Sequence, residues 1–338
     1  LNFNISNLNV CGDNTFRIFK NYLHQGDQFF FLKKRLFKYF KTKKNTKKFL
    51  LRKIDIEINR KMNGKIKKMD DLPFHFKKIY DPKYSKKFEL ENKIAIDKKK
   101  FNILVATHDF YEGPNSEGEF IFPDYHAWIK YLLNYANKCE NKNIFWYIKP
   151  HPDFDEGQFR ILKNIIPKSK NIILLPGNTP NYFLIKKGIN FVLTNHGTIA
   201  PEFAYKNIPS LLCSNSNFFN NFNFAIKCNN LEQYKNYLDK ISDLKIKIKK
   251  QDVLMYFYYQ KYFFNDPIKF NIFPKQTVNA NPIISLSDKV FLDDNLIIDK
   301  TYNKFFNNKR KFNRIFKVYE NFIINKNLFQ LIDINKAV

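Results

Sequence analysis

Between residues 99 and 242, short and wholly apolar runs alternate with stretches whose apolar residues recur every three or four positions. The runs lie in FNILVATHDF, then at 143–149 (NIFWYIK), 171–175 (NIILL), 190–194 (NFVLT) and 208–213 (IPSLLC). Strands that are buried on both faces look like this, because each face must meet an apolar neighbour. Helical spacing marks PDYHAWIKYLLNYANKC and the stretches near 155–166, 180–187, after His196 and near 230–241. Such alternation predicts a parallel sheet with helices on both sides, a doubly wound, Rossmann-like α/β domain of about 140 residues.

The flanks read differently. Residues 1–98 carry little regular pattern, and 70–93 has prolines and charges without periodicity, as a connection would. The stretch Lys33 to Lys53 alternates basic and apolar residues near helical spacing. Two readings stand for it: a solvated helix face, or a surface for anionic lipid or a polyanion. Beyond 242 the chain is lysine-rich and aromatic, with a long helix expected first and a helical tail after it, FNNKRKFNRIFKVYENFIINKN included. The expected division is therefore 1–98, 99–242 and 243–338, with a mostly helical N-terminal part and a helical C-terminal extension.

Charge excludes less than it suggests. The 338 residues carry a formal net charge of +27, which would ordinarily point to nucleic acid or an anionic membrane. Almost all of that charge is lysine, beside abundant Asn, Ile, Phe and Tyr, a bias that an AT-rich coding sequence produces without any ligand. Cys11, Cys139, Cys213 and Cys228 lie far apart with no metal-ligand spacing, and read as reduced thiols. No apolar run reaches the roughly 18 residues of a membrane span.

The chemistry-bearing residues gather at strand ends. His108 and Asp109 follow the first run, Lys149-Pro150-His151-Pro152 the second, and Asn195-His196-Gly197-Thr198 the fourth. In an open α/β sheet, ligands bind at the carboxyl ends of the strands. Prolines on both sides of His151 restrict the backbone and keep helix away, so the imidazole is held at the sheet edge. The plainer reading of HP alone is a proline-bounded turn. Gly197 allows close approach and Thr198 suits a helix N-cap, after which free N–H groups and the helix dipole would face an anion. Glu202, one turn on, is placed to accept from a ribose diol; the plainer reading is a surface glutamate. The loop 107–128 holds Asp109, Glu112, Glu117, Glu119 and Asp124, acids that either include a general base or merely solvate the loop, with Asp124 read as a helix cap. There is no HExxH, DxD, GxxxxGK[ST] or GxGxxG, so metal hydrolases, P-loop kinases and ordinary NAD enzymes are disfavoured.

On these residues, 100–240 resembles the C-terminal, donor-binding domain of a GT-B glycosyltransferase, and is most similar to bacterial capsule and surface polysaccharide biosynthesis proteins. Their pattern is a KPHP strand end followed by TxHGT/S…E.A..G.P.L, matched here by Lys149 to Pro152 and then Thr194, His196, Gly197, Thr198, Glu202, Ala204 and Pro209. The usual glycine before the last strand is replaced by Asn207-Ile208. Related motifs occur in sialyl-, polysialyl- and Kdo transferases and in glycerophosphotransferases. The resemblance implies metal-independent transfer of a sugar or polyol phosphate from a CMP-, CDP- or UDP-linked donor to a glycan or glycolipid acceptor, without a resident cofactor. It implies that His151 and Thr198, with Lys149, His196 and Gly197, meet the phosphates while Glu202 holds ribose. His108, Asp109 and Glu112 are the in-chain candidates for the catalytic base. A GT-B enzyme also needs an acceptor domain, so the chain is expected to be N-terminally truncated and to work in the cytoplasm or peripherally on the inner face of the cytoplasmic membrane. Three rival readings remain: a nucleotide-sugar 2-epimerase of the same fold, a polyanion binder using the lysine-rich flanks, and a non-catalytic scaffold. No nucleic acid is expected.

Overall fold

The computed structural model describes residues 5–11, 15–20, 44–63, 81–113, 118–152, 154–216, 222, 224–259 and 329–331. The chain forms two compact units, one from Leu1–Gln28 with Asn265–Val338 and the other from Phe29–Phe264. In the first unit, β1 (Ile5–Cys11) pairs antiparallel with β2 (Thr15–Lys20), and β11 (Phe329–Leu331) adds to the other edge of β2. This small sheet was not expected from the sequence. The supposed helical tail at 306–327 lies outside the described residues.

The second unit holds the α/β domain. Its elements are α1 (Lys44–Met62), α2 (Pro82–Asn92), β3 (Phe101–Ala106), β4 (Gly118–Phe120), α3 (Tyr125–Lys138), β5 (Ile144–Lys149), α4 (Glu156–Ile165) and β6 (Ile172–Leu174). Then follow α5 (Asn181–Lys187), β7 (Phe191–Thr194), α6 (Ile199–Ala204), β8 (Ser210–Leu212), β9 (Ser214–Ser216), β10 (Ala225–Ile226), α7 (Leu231–Asp239) and α8 (Lys250–Tyr259). Six strands pair in the order β10-β8-β7-β3-β5-β6, every pair parallel. Counted along the domain this is 3-2-1-4-5-6, the Rossmann order, and the topology reverses between β3 and β7. The expected doubly wound parallel sheet is what the chain forms.

Alternation along each strand builds two cores, since successive side chains point to opposite faces. Ile103 and Val105 of β3, Trp146 and Ile148 of β5 and Leu193 of β7 pack under α3, α4 and α7. Leu104, Tyr147 and Val192 pack on the other face, under α2, α5 and α6. Local signals set the helix starts: Asp124 accepts from the Ala127 N–H (2.7 Å), Asp155 from Gln158 (2.7 Å) and Asn230 from Gln233 (2.9 Å). Asn207 has φ 59°, the left-handed backbone that this α6–β8 turn requires and that asparagine tolerates better than most residues. That explains how the chain keeps the turn without the glycine of the resembled pattern. Strand β4 sits in the long loop after β3 and pairs antiparallel with β9, a pairing that local sequence did not reveal.

Two helices outside the sheet, α1 and α8, pack on this domain. Met62 of α1 packs with Tyr182, Ile185 and Tyr205, and Asp55 accepts from the Tyr205 hydroxyl (2.6 Å) and pairs with Lys250 of α8 (3.0 Å). Helices α1 and α8 thus pack on the α6 side of the domain.

At the centre of the first core, the indole N–H of Trp128 donates to the Tyr234 hydroxyl (2.9 Å), and both side chains are fully buried. Trp128→Phe removes the only indole donor to that oxygen and leaves a void. Urea unfolding is expected to show a loss of about 2–3 kcal/mol. An unchanged midpoint would mean that this packing is wrong.

Candidate functional site at the topological switch point

The site is built where the sheet reverses. His108 follows β3, and Thr194 ends the neighbouring strand β7. His108 is buried, and its Nε2 lies 3.2 Å from Thr194 Oγ1, while Nδ1 lies 3.5 Å from a carboxylate oxygen of Glu112. One face of its ring stacks on Tyr125 (centroids 4.8 Å apart), and the His196 ring is 4.7 Å away. Glutamate, imidazole and hydroxyl therefore run in line, a proton-handling arrangement with the imidazole clamped by an aromatic ring. The hydrogen bond from His108 holds the Glu112 carboxyl below its usual 4.5; burial opposes this, and the charges of His108 and His151 add to it.

His196 is kept neutral. Burial, with the neighbouring His108 adding to it, pushes its pKa down to about 3. The Asn195 amide nitrogen lies 2.9 Å from His196 Nδ1, an assignment that makes Nδ1 the acceptor and leaves Nε2 to carry the proton. A Cβ at Gly197 would lie 2.9 Å from Thr194 Oγ1 and 3.5 Å from His108 Nε2, so the glycine is demanded first by close packing of the site's own side chains.

Thr198 stands at the N-cap position of α6, but with helical backbone angles and no side-chain capping bond. The expected cap is therefore absent, and the exposed hydroxyl remains at the rim. Helix α6 is six residues long, the Ala200 N–H returns to the Gly197 carbonyl (3.0 Å), and Pro201 has no N–H to offer. The expected helix-dipole contribution is correspondingly small.

Lys149 and Glu202 occupy the α6 side of the sheet. Side-chain alternation puts Lys149 on the face it shares with Tyr147. It is buried, and burial lowers its pKa to about 8 while the charge of Glu202 pulls it back up. Among the described residues its ammonium has no hydrogen-bond or ion-pair partner. Glu202 is buried too, contrary to the surface reading, and its Oε1 lies 2.8 Å from Lys61 Nζ of α1.

His151 is held as the prolines suggested, with help that the sequence did not reveal. Thr107 accepts from the His151 N–H (2.9 Å) and donates its own N–H to the Lys149 carbonyl (3.0 Å), tying the ends of β3 and β5 together. His151 lines a cleft of about 530 Å³ with Phe154, Phe159, Arg160, Gly177 and Asn178, a size at which small-molecule sites occur. The Asp109 carboxylate accepts from the Tyr111 N–H (2.9 Å) within a local turn.

The fold thus brings His108, Glu112, His196 and Gly197 into one cluster, and Lys149 with Glu202 into a second on the α6 side. Sequence reasoning missed Thr194 as a site residue, although it ends the quoted motif's strand. Tyr125, Thr107 and Lys61 had no local signal at all. Among the described residues no group of three His, Cys, Asp or Glu side chains is placed to hold a metal, and Cys139, Cys213 and Cys228 are unpaired thiols. No described helix is long and apolar enough to cross a membrane.

No protein-family profile matches the chain, and no curated protein does. Solved structures similar to it include UDP-GlcNAc 2-epimerase from Neisseria meningitidis bound to UDP-GlcNAc, at 13% identity and TM-score 0.38, covering 56% of this chain and 51% of that one. Another is the S. aureus MnaA–UDP complex, at 15% identity and TM-score 0.33, covering 49% of this chain and 47% of that one. The chain spans about half the length of these structures.

Proposed function

We propose that the switch-point crevice binds the phosphates of a nucleotide-activated sugar and that the chain is the donor-binding part of a glycosyltransferase. The observation that carries this reading is Lys149. A buried ammonium whose countercharge, Glu202, is itself paired with Lys61 is costly, and a bound phosphate at a strand end would supply a further countercharge. The Thr198 hydroxyl and the His196 Nε2–H are further donors, following the end of β7, and the cleft at His151 is large enough for a nucleoside. Glu202, held by Lys61, is the acceptor for a ribose diol.

In the proposed reaction an acceptor hydroxyl oxygen bonds to the anomeric carbon as the bond from that carbon to the donor phosphate breaks. The nucleotide leaves with the electron pair, and the acceptor's proton passes to His108, whose far nitrogen faces the Glu112 carboxylate. Lys149 and the donors around Thr198 stabilise charge on the leaving phosphate, which is the larger part of the work in such transfers. Asp109 is given no part in this scheme; one of its carboxylate oxygens accepts from the Tyr111 N–H. The acceptor is a glycan or glycolipid, and no metal is invoked.

Thermal-shift titration with CMP, CDP, UDP and GDP tests the reading. One nucleotide is expected to stabilise the protein by about 2–3 kcal/mol at 100 times its dissociation constant, and Thr198→Ala and His151→Ala are expected to weaken that response. Thr198 is exposed and uncapped, so its variant folds. If no nucleotide stabilises the wild-type protein, the donor-site reading fails. Conversion of a nucleotide sugar without any acceptor would replace transfer by epimerisation or hydrolysis.

A further inference from the structure

Helix α1 turns one side to solvent that the fold leaves unused. Phe49 is 68% exposed and Ile56 46%, and seven residues apart they stand on one side of the helix, about 10 Å along its axis. Lys48, Arg52, Lys53 and Arg60 are exposed as well. Helical spacing sets Arg52 and Lys53 between the two apolar residues and Arg60 one turn beyond Ile56. The two acids of α1 are not among its exposed residues: Asp55 is taken up by Tyr205 and Lys250, and Glu57 is half-buried. The exposed side therefore carries four cations, two large apolar groups and no carboxylate. Two of the chain's seven arginines fall here, which the general lysine bias does not account for.

We propose that this face of α1 docks on an anionic lipid surface. Phe49 and Ile56 enter the boundary between headgroups and acyl chains, and the four cations meet lipid phosphates. A nucleic acid would satisfy the cations, but an isoleucine offers no π face for a base to stack on. The inference does not rest on the nucleotide-site reading.

Co-sedimentation of the full chain with phosphatidylcholine vesicles, with and without phosphatidylglycerol, tests it. Binding is expected only with phosphatidylglycerol. Arg52→Gln with Lys53→Gln is expected to weaken it about thirtyfold, and Phe49→Ser with Ile56→Ser about tenfold. Lys83→Gln with Lys86→Gln removes the same charge from exposed positions of α2 and is expected to change binding less than twofold. All six positions are exposed, and unchanged thermal midpoints confirm folding. The proposal is overturned if phosphatidylglycerol vesicles do not bind, if the two charge pairs lose binding equally, or if the serine variant binds as well as wild type.

Discussion

Lys149→Met is expected to stabilise the free protein while abolishing its response to nucleotide. Methionine fills nearly the same space and needs no countercharge, and Glu202 keeps Lys61 as its partner. Burial depresses the lysine to about 8 from an ordinary 10.5. Between those values the unfolded chain holds a proton that the folded chain has released, so wild-type stability gains with rising pH across that window. Below about pH 8 both states are protonated, and the folded state carries the full penalty of about 3 kcal/mol. The variant's advantage should therefore be largest near pH 7 and gone above about pH 10.5. Denaturant midpoints of both proteins from pH 7 to 11 read this directly, and comparing them cancels the tyrosines that titrate in the same range. A less stable variant, or an advantage independent of pH, would show that the ammonium has a partner and would remove the main support for an anion site.

His108→Ala is expected to lower turnover of the donor by about 10²–10⁴, the usual contribution of a positioned acid or base. Since His108 stacks on Tyr125 inside the domain, its loss also costs packing, and a milder variant is needed beside it. Glu112→Gln alters a half-exposed side chain, leaves the imidazole in place and removes only its orienting carboxylate. Its expected effect is about a tenfold loss of turnover with unchanged donor affinity. There is also a readout that does not depend on activity. In His108→Ala the Glu112 carboxyl loses the hydrogen bond that lowers its pKa, so its NMR titration should move up toward 4.5. An unmoved titration would break the Glu112–His108–Thr194 line on which the proton role depends.

Much of the α/β domain was legible because its signals are local. Apolar runs such as NIFWYIK marked strands to within a residue or two, and Asp124 marked the start of α3. The strand-end rule then singled out His108, Lys149, His151 and His196 without knowledge of the strand order. The same reasoning could not find β4 pairing with β9, because three-residue strands carry no periodicity and their partner is almost a hundred residues away. Nor could it tell that Asp109 serves a turn while Glu112, three residues later, reaches the imidazole.

What the sequence by itself determined was the kind of domain and which ends of its strands hold chemistry, because hydrophobic period and turn residues act between near neighbours. Only tertiary structure decided how those ends meet. Strand order brings β3 beside β7 and so sets His108 against Thr194, and packing of a distant helix puts Lys61 on Glu202. Burial then sets the charge states, lowering Lys149 to about 8 and His196 to about 3. Desolvation depends on everything that surrounds a group in space, and neighbours in space are not written in the neighbours along the chain.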